Sequence, residues 1–193
     1  MSSPGGTNAS VPTGPDCGDT AEPPEPTSAG PGSAGFCKLD VSLRLDLDSE
    51  PSLGGWLEPK LARIADRLGV GAGTLTVATV DDGQMTRLNR QYHDTAGTTD
   101  VLTFDMRDPP GHGPLEADVV VCMDEAARQA LRRGHDSRLE VLLYAVHGLL
   151  HLTGQDDRDP VAAARMHRLE DRLIAGEGLG PVYGRGAIGT QPP

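Results

Sequence analysis

The sequence has few cysteines, no long apolar run and no basic leader, and each absence excludes a class of protein. Its three cysteines, Cys17, Cys37 and Cys122, are scattered, so they form neither a disulfide framework nor a C-x-x-C metal site. No segment is long and apolar enough to span a bilayer. The first residues lack the basic stretch and apolar run of a secretory signal. We therefore expect a protein of the reducing cytoplasm.

Basic residues are also scarce, which bears on nucleic-acid binding. The chain has 17 Lys and Arg against 28 Asp and Glu, a formal net charge of −11, of which residues 36–183 carry −8. Broad nonspecific binding of nucleic acid needs a basic surface. The charge balance argues against such a surface and leaves room only for a local basic cleft.

Composition divides the chain into one domain and two tails. Residues 1–35 contain 14 Gly or Pro, 9 Ser or Thr, and no Lys or Arg. Such a stretch buries too little apolar surface to offset the entropy of ordering it. We expect a disordered tail over residues 1–36, one compact domain over residues 37–183, and a flexible tail over residues 184–193.

Hydrophobic spacing in the central domain alternates between the period of a strand and that of a helix. The order is strand, helix, strand, helix, two strands and three helices, which predicts an α/β or α+β layered domain. In the fourth strand, D-V-V-V-C-M at residues 118–123, the apolar run is unbroken. This run predicts a strand that is buried on both faces.

The main candidate site lies in V-L-L-Y-A-V-H-G-L-L-H-L-T-G-Q-D-D, residues 141–157. Its first part is an apolar helix in which His147 and His151 are four residues apart. Residues at this spacing lie on the same helix face, about 6 Å apart along the axis. The two imidazoles can therefore point at one spot, although core histidines bonded to the backbone are the alternative interpretation.

The residues after this helix favour a metal site. Gly154 can end the helix in a left-handed conformation, so that the chain folds back and brings Asp156 and Asp157 toward the imidazoles. Two imidazoles and a carboxylate form a ligand set for a zinc-type ion, with one position open for water. Gly148 follows His147, so the glutamate of the H-E-x-x-H metalloproteases is missing and a peptidase is not expected.

Three segments of the chain resemble the YbeY family of endoribonucleases. H-G-L-L-H-L-T-G-Q-D-D, residues 147–157, resembles the family signature H-G-x-L-H-L-x-G-Y-D-H. L-N-R-Q-Y-H…T-T-D-V-L-T-F, residues 88–104, is similar to L-N-x-x-Y-R…T-D-V-L-S-F, and A-D-V-V-V-C, residues 117–122, resembles G-D-I-V-I-S. The order and spacing agree, and the resemblance covers roughly residues 38–183.

The resemblance implies a fold, an activity and partners. The fold would be α+β, with helices around a four-stranded mixed sheet, of the zincin-like metal-dependent hydrolase type. One Zn²⁺ per chain would be held by His147, His151 and Asp157. The activity would be single-strand-specific RNA cleavage in the cytoplasm, for 16S rRNA 3′-end maturation and small-subunit quality control. The partners would be single-stranded RNA, the small ribosomal subunit and its assembly factors, with no membrane.

Two positions depart from the family pattern. The third metal-binding histidine falls on Asp157, and the arginine of L-N-x-x-Y-R falls on His93. Aspartate is an acceptable zinc ligand, but it lowers the positive charge of the site. Exchanging arginine for histidine removes a permanent charge and a bidentate phosphate donor. A catalytically weak ribosome-assembly or RNA-binding factor, with a structural metal or none, is therefore the alternative function; a metallohydrolase with another substrate is a third.

Further residues complete the candidate site. His93 is expected near the phosphate as a donor or an acid/base group, and Asp156 is expected to orient a metal ligand, with a base role or a turn cap as alternatives. The resemblance places Thr99 and Asp100 near the active-site cleft; the alternative interpretation is that they only begin a strand. Candidate RNA contacts, each with a solvated surface charge as the alternative, are Arg90, Arg132, Arg133 and Arg158.

Overall fold

The computed structural model describes residues 39–45 and 52–183, and the predicted tails over residues 1–36 and 184–193 lie outside the described residues. The described elements are β1 (Leu39–Leu45), α1 (Ser52–Arg67), β2 (Gly73–Val80), α2 (Asp82–His93), β3 (Val101–Asp105), β4 (Leu115–Cys122), α3 (Met123–Arg133), α4 (Ser137–Leu152) and α5 (Pro160–Ala175). The predicted α+β class is confirmed. No described helix combines the length and the apolar content needed to cross a bilayer.

The strands form one mixed sheet in the order β1-β2-β4-β3. β2 pairs in parallel with both β1 and β4, and β3 pairs antiparallel with β4. Val119 of β4 lies opposite Val77 of β2 on one side and opposite Thr103 of β3 on the other. β4 is therefore an interior strand, next to the edge strand that begins just after Asp100.

The main core lies between one face of this sheet and helices α1 and α4. Val119 and Val121 of β4 are fully buried there, whereas Val120 and Asp118 are only half-buried. The prediction of a fourth strand buried on both faces is therefore wrong. The second face carries only a small cluster with α2, so alternate residues of β4 stay partly exposed.

Helix α4 is the most buried helix of the domain, and its two exceptions are the candidate ligands. Every residue from Leu139 to Leu152 is buried except His147 and His151. Gly148 faces the sheet so closely that a Cβ there would lie 2.8 Å from Thr103 Oγ1 and 3.1 Å from Val119. Because Gly148 has no side chain, the helix packs closely against β3 and β4. This packing sets how deeply the adjacent His147 is buried.

Candidate metal centre

Three side chains converge where α4 ends. The Nε2 atoms of His147 and His151 lie 3.0 Å apart. Oδ2 of Asp157 lies 3.7 Å from His147 Nε2, and its Oδ1 lies 3.7 Å from His151 Nε2. All three ligand atoms fall within 4.8 Å of one another. The structure therefore brings together the three ligands predicted from the sequence.

The turn after α4 returns the aspartate to the imidazoles. The helix ends at Leu152, and Gly154 adopts the left-handed conformation with φ 88°. The Gln155 N–H then donates back to the Leu150 carbonyl at 2.9 Å. Because glycine enters this conformation without the steric cost of a Cβ, the predicted reversal at this position is confirmed.

Both imidazoles are held from behind by acceptors. His147 Nδ1 lies 2.8 Å from Oε1 of Glu170, a fully buried carboxylate on α5. His151 Nδ1 lies 3.1 Å from the Gln155 carbonyl. A carboxylate and a carbonyl only accept, so each Nδ1 carries a proton, and in the neutral ring each Nε2 turns a lone pair inward.

This arrangement fits a divalent metal. The two Nε2 atoms lie 3.0 Å apart, a contact that is favourable when a proton or a metal ion lies between them. Ligand atoms around a tetrahedral zinc ion lie about 3.4 Å apart, and the observed separations of 3.0 and 3.7 Å lie on either side of that distance. The side chain of His151 is 33% exposed and that of Asp157 is 34% exposed, so solvent can reach a fourth coordination position.

The electrostatic surroundings of His147 also favour positive charge. Burial opposes its protonation, but the hydrogen bond and the charge of Glu170, with the charges of Asp100 and Asp157, raise the pKa of its imidazole above the ordinary value. The same acidic surroundings stabilise a bound cation. Tyr183 lies in this environment too, where burial and Glu170 raise the pKa of its phenol.

Among the described residues, no hydrogen bond of Asp156 reaches the side chain of a predicted metal ligand, so its ligand-orienting role stays a prediction. Its carboxylate accepts from Arg158 Nε at 2.9 and 2.7 Å and from the N–H groups of Asp157 and Arg158. This pairing lowers the pKa of Asp156 to about 2. Asp156 caps the turn, which was one of the alternatives. The acceptors behind the two imidazoles are Glu170 and the Gln155 carbonyl.

His93 and Arg90 lie apart from this centre. Both are exposed at the end of α2, and neither lines the cavity that adjoins His147. The His93 carbonyl accepts from the Thr95 hydroxyl at 3.0 Å. The expected placement of His93 beside a metal-bound phosphate therefore finds no support in this geometry.

Of the other predicted RNA contacts, only Arg133 lines the cavity next to the metal ligands. Its Nη1 lies 2.9 and 3.0 Å from the carboxylate oxygens of the buried Glu140. Arg132 is exposed on α3, and Arg158, with a side chain that is 88% exposed, pairs with Asp156. The ion pair with Glu140 holds Arg133 in place at the edge of the cavity.

Sequence reasoning missed Glu170, the acceptor behind His147. The available signal was an acidic residue in the apolar stripe of α5, where Met166, Glu170, Leu173 and Ile174 share the buried face. A fully buried carboxylate is costly unless it is paired. An acidic residue at helical spacing among apolar ones therefore indicated a polar partner across the interface.

Two cavities adjoin the centre. One, of about 530 Å³, is lined by His147 and Asp157 and also by Thr99, Asp100 and Gln129; we call it the His147 cavity. The other, of about 720 Å³, is lined by His151, by Asp105 at the end of β3 and by Arg107 in the loop that follows. Each cavity thus contacts a different imidazole of the pair.

Comparison with known proteins places the chain in a family. The sequence model described as Endoribonuclease YbeY matches residues 49–177. An Endoribonuclease YbeY of Anaeromyxobacter sp. (strain Fw109-5) is 39% identical over 123 residues, which are 64% of this chain and 64% of that protein. The Endoribonuclease YbeY of Halorhodospira halophila is 39% identical over 133 residues, 66% of this chain and 82% of the relative. The aligned region thus spans a little under two thirds of the Anaeromyxobacter protein.

A solved structure supports the fold alone. The solution structure of TM1509 from Thermotoga maritima aligns with a TM-score of 0.50 at 19% sequence identity, over 80% of this chain and 99% of that protein. The family match covers both imidazoles, the third ligand and Glu170. On the sequence match and the ligand geometry together, the chain belongs to the YbeY family.

Proposed function

We propose that this protein is a metal-dependent endoribonuclease that cleaves single-stranded RNA in the maturation of 16S rRNA and in small-subunit quality control. The observation that carries the proposal is the inward pair of Nε2 atoms at 3.0 Å with Asp157 across from them. The family match and the relatives named Endoribonuclease YbeY support the RNA substrate. The small ribosomal subunit and its assembly factors, in the cytoplasm, are the proposed setting, and residues 37–183 are the proposed catalytic domain.

The proposed ligands are His147, His151 and Asp157, with Zn²⁺ as the ion and a zincin-like arrangement of the site. A bound Zn²⁺ supplies a water whose pKa is lowered to around 7 and polarises a phosphoryl oxygen. Glu170 accepts the Nδ1–H of His147 and so keeps the Nε2 lone pair directed at the ion. The aspartate ligand leaves less positive charge on the site than a third histidine would.

The protein groups around the ligands would position the RNA. Arg133, fixed by Glu140, offers its remaining N–H donors at the edge of the His147 cavity. Leu143 and Tyr144, which are both buried, line the same cavity. The exposed Arg90, Arg132 and Arg158 would contribute long-range attraction for a phosphate backbone, which salt screens.

Metal analysis together with RNA cleavage tests this function. We expect the purified full chain to hold about one equivalent of zinc and to cut single-stranded RNA. His151→Ala should lose both properties, whereas His112→Ala, at an exposed histidine outside the two cavities, should keep both. Full cleavage by metal-free His151→Ala would refute the proposal. Strong binding to the small subunit without cleavage by the native chain would favour the alternative, an assembly factor without catalysis.

A further inference from the structure

The His147 cavity has an unusual balance of hydrogen-bonding groups. The hydroxyl of Thr99 donates to Asp100 Oδ1 at 3.0 Å. The side-chain N–H of Gln129 donates to Glu125 Oε1 at 2.7 Å, and the Thr98 hydroxyl lies 3.4 Å from Asp82 Oδ1. One donor hydrogen of each of these neutral side chains can therefore be directed at a carboxylate of the protein, although the Thr98 hydroxyl also lies 3.4 Å from the Thr99 carbonyl. The hydroxyls then leave acceptor capacity for a ligand, and Gln129 keeps its Oε1 acceptor together with one further N–H.

The carboxylates of the cavity strengthen this bias. Asp100 uses Oδ1 for both the Thr99 hydroxyl and the Val101 N–H, which leaves Oδ2 without a hydrogen bond among the described residues. Asp100, Glu125 and Asp157 all line the cavity. A phosphate would meet like charge here, so the acceptor side of the cavity suits a neutral group that carries N–H donors.

The remaining lining includes two aromatic rings and a guanidinium group. His167 and Tyr183 stack with ring centroids 4.1 Å apart and an interplanar angle of 20°, and the Arg133 guanidinium carbon lies 5.2 Å from the Tyr183 ring centroid. The Asp171 carboxylate accepts the N–H groups of Val182 and Tyr183 and so holds this segment against α5. The volume of about 530 Å³ lies within the range of small-molecule sites, about 300–1,000 Å³.

We propose that the His147 cavity is a base-binding subsite that prefers a nucleobase with an exocyclic amino group, such as cytosine, over uracil. Cytosine offers an N4 amino group to Asp100 and Gln129 and a carbonyl oxygen to Arg133. In other nucleic-acid complexes, carboxylates accept a hydrogen bond from the N4 amino group of cytosine. Uracil has a carbonyl oxygen in place of that amino group, so at this position it would face the acceptors with another acceptor and would offer them only its single N3–H. The inference rests on the proposed function, since the subsite would hold the base next to the phosphate at the metal ligands.

Nucleoside binding tests the subsite separately from cleavage. The full chain is titrated with cytidine and with uridine, and the amide signals of Thr98, Thr99 and Asp100 and the side-chain amide of Gln129 are followed by NMR. We expect cytidine to bind about tenfold more tightly than uridine and to shift these signals. Equal affinities, or no shift at these signals, would overturn the subsite whether or not the protein cleaves RNA.

A single isosteric substitution sharpens the test. In Asp100→Asn the amide oxygen keeps the bonds to Thr99 and Val101, while an NH₂ group replaces the free Oδ2. The preference for cytidine should fall to about threefold or less. Asp118→Asn, the same change on β4 outside this cavity, should keep it. An unchanged preference in Asp100→Asn would contradict the proposal.

A cleavage assay tests the base-binding subsite and the proposed endoribonuclease function separately. The substrates are two short single-stranded RNAs that differ only by cytosine or uracil next to the cut phosphodiester. A ratio of rates near ten that falls in Asp100→Asn supports the subsite, because damage to the metal site would slow both substrates equally. RNA cleavage with a ratio near one overturns the subsite and leaves the function standing. Selective nucleoside binding without cleavage would leave the subsite standing and count against the nuclease.

Discussion

The end of α4 and the end of α2 both carry a histidine that the family resemblance singles out, yet the structure treats them differently. At the end of α4, His147 and His151 have acceptors behind their rings and a carboxylate in front. At the end of α2, His93 is exposed. A metal ligand needs a fixed ring and a neighbour at contact distance, and only the α4 region provides both.

The contrast shows how much of a site depends on the elements behind it. In the α4 region the closest tertiary support comes from α5, through the fully buried Glu170. Arg107, which pairs with Asp105 at the end of β3, gives further support, because its Nη2 donates to the Leu152 carbonyl at 2.9 Å. Substitutions at the α4 centre and its supports should therefore have larger effects than substitutions at the end of α2.

The largest effect should come from removing one of the proposed metal ligands at the end of α4. We expect His147→Ala to lose bound metal and to lower RNA cleavage by roughly a thousandfold or more, because a two-ligand site holds zinc poorly. Metal content by mass spectrometry and initial rates measure the two effects. His93→Ala is the matched change at the end of α2, and it should keep its metal. Equal metal loss in both variants would remove the distinction between the two regions.

Removing the acceptor behind His147 should have the next largest effect. We expect Glu170→Ala to weaken metal binding about 10- to 100-fold, because the imidazole loses the acceptor that fixes its tautomer and orientation. Competition with a chelator measures the affinity.

Two further variants distinguish orientation from general destabilisation. Glu170→Gln keeps an oxygen acceptor and should recover part of the affinity. Glu140→Ala removes another fully buried carboxylate, which pairs with Arg133 rather than with a ligand, so its folded fraction should bind metal normally. The same affinity loss in Glu140→Ala would mean that Glu170 acts only through stability.

The close approach of α4 to the sheet should be sensitive to a single methyl group. Gly148→Ala places a Cβ 2.8 Å from Thr103 Oγ1, and we expect it to lower the free energy of unfolding by about 1–3 kcal/mol. Gly55→Ala in α1 meets no atom within 4 Å and should raise stability by up to about 1 kcal/mol. Urea unfolding measures both changes, and stabilisation by Gly148→Ala would contradict the packing described here.

A smaller effect concerns the pair that supports the end of α4. The hydrogen bond from the Arg107 side chain lowers the pKa of Asp105 from 3.8 to about 2. The folded pKa is the lower one, so the pair stabilises the protein well above pH 4 and this contribution is lost as the pH falls toward 2. We expect Asp105→Asn to cost about 1 kcal/mol at pH 7 and little near pH 2. Urea unfolding at both values checks this, and Arg107→Met should reproduce it; a cost independent of pH would contradict it.

The smallest effect should come from restoring the family arginine at the end of α2. Because His93 is exposed and does not line the His147 cavity, we expect His93→Arg to leave metal content unchanged and to alter the cleavage rate by less than about threefold. Initial rates at two salt concentrations measure it. A large gain would show that the end of α2 reaches the phosphate when RNA is bound.

The sequence predicted the elements that depend on local spacing. The pair His147 and His151 follows from the helical repeat, and the return of Asp157 follows from Gly154. The burial of β4 was mispredicted because an apolar run does not show which helices cover each face, and only α2 covers the second one. The bonding of Asp156 also depended on a neighbour that the pattern did not take into account, since Arg158 donates to its carboxylate.

What the sequence alone determined is the convergence of His147, His151 and Asp157, because four-residue spacing and a left-handed glycine act within a few residues of each other. The tertiary structure decided which groups support and surround that set. Glu170 reaches His147 from 23 positions away, and Asp100 and Gln129 meet at one cavity from separate elements. Such pairings depend on how α3 and α5 pack against α4, and the hydrophobic effect that drives this packing is non-directional, so no short stretch of sequence encodes it.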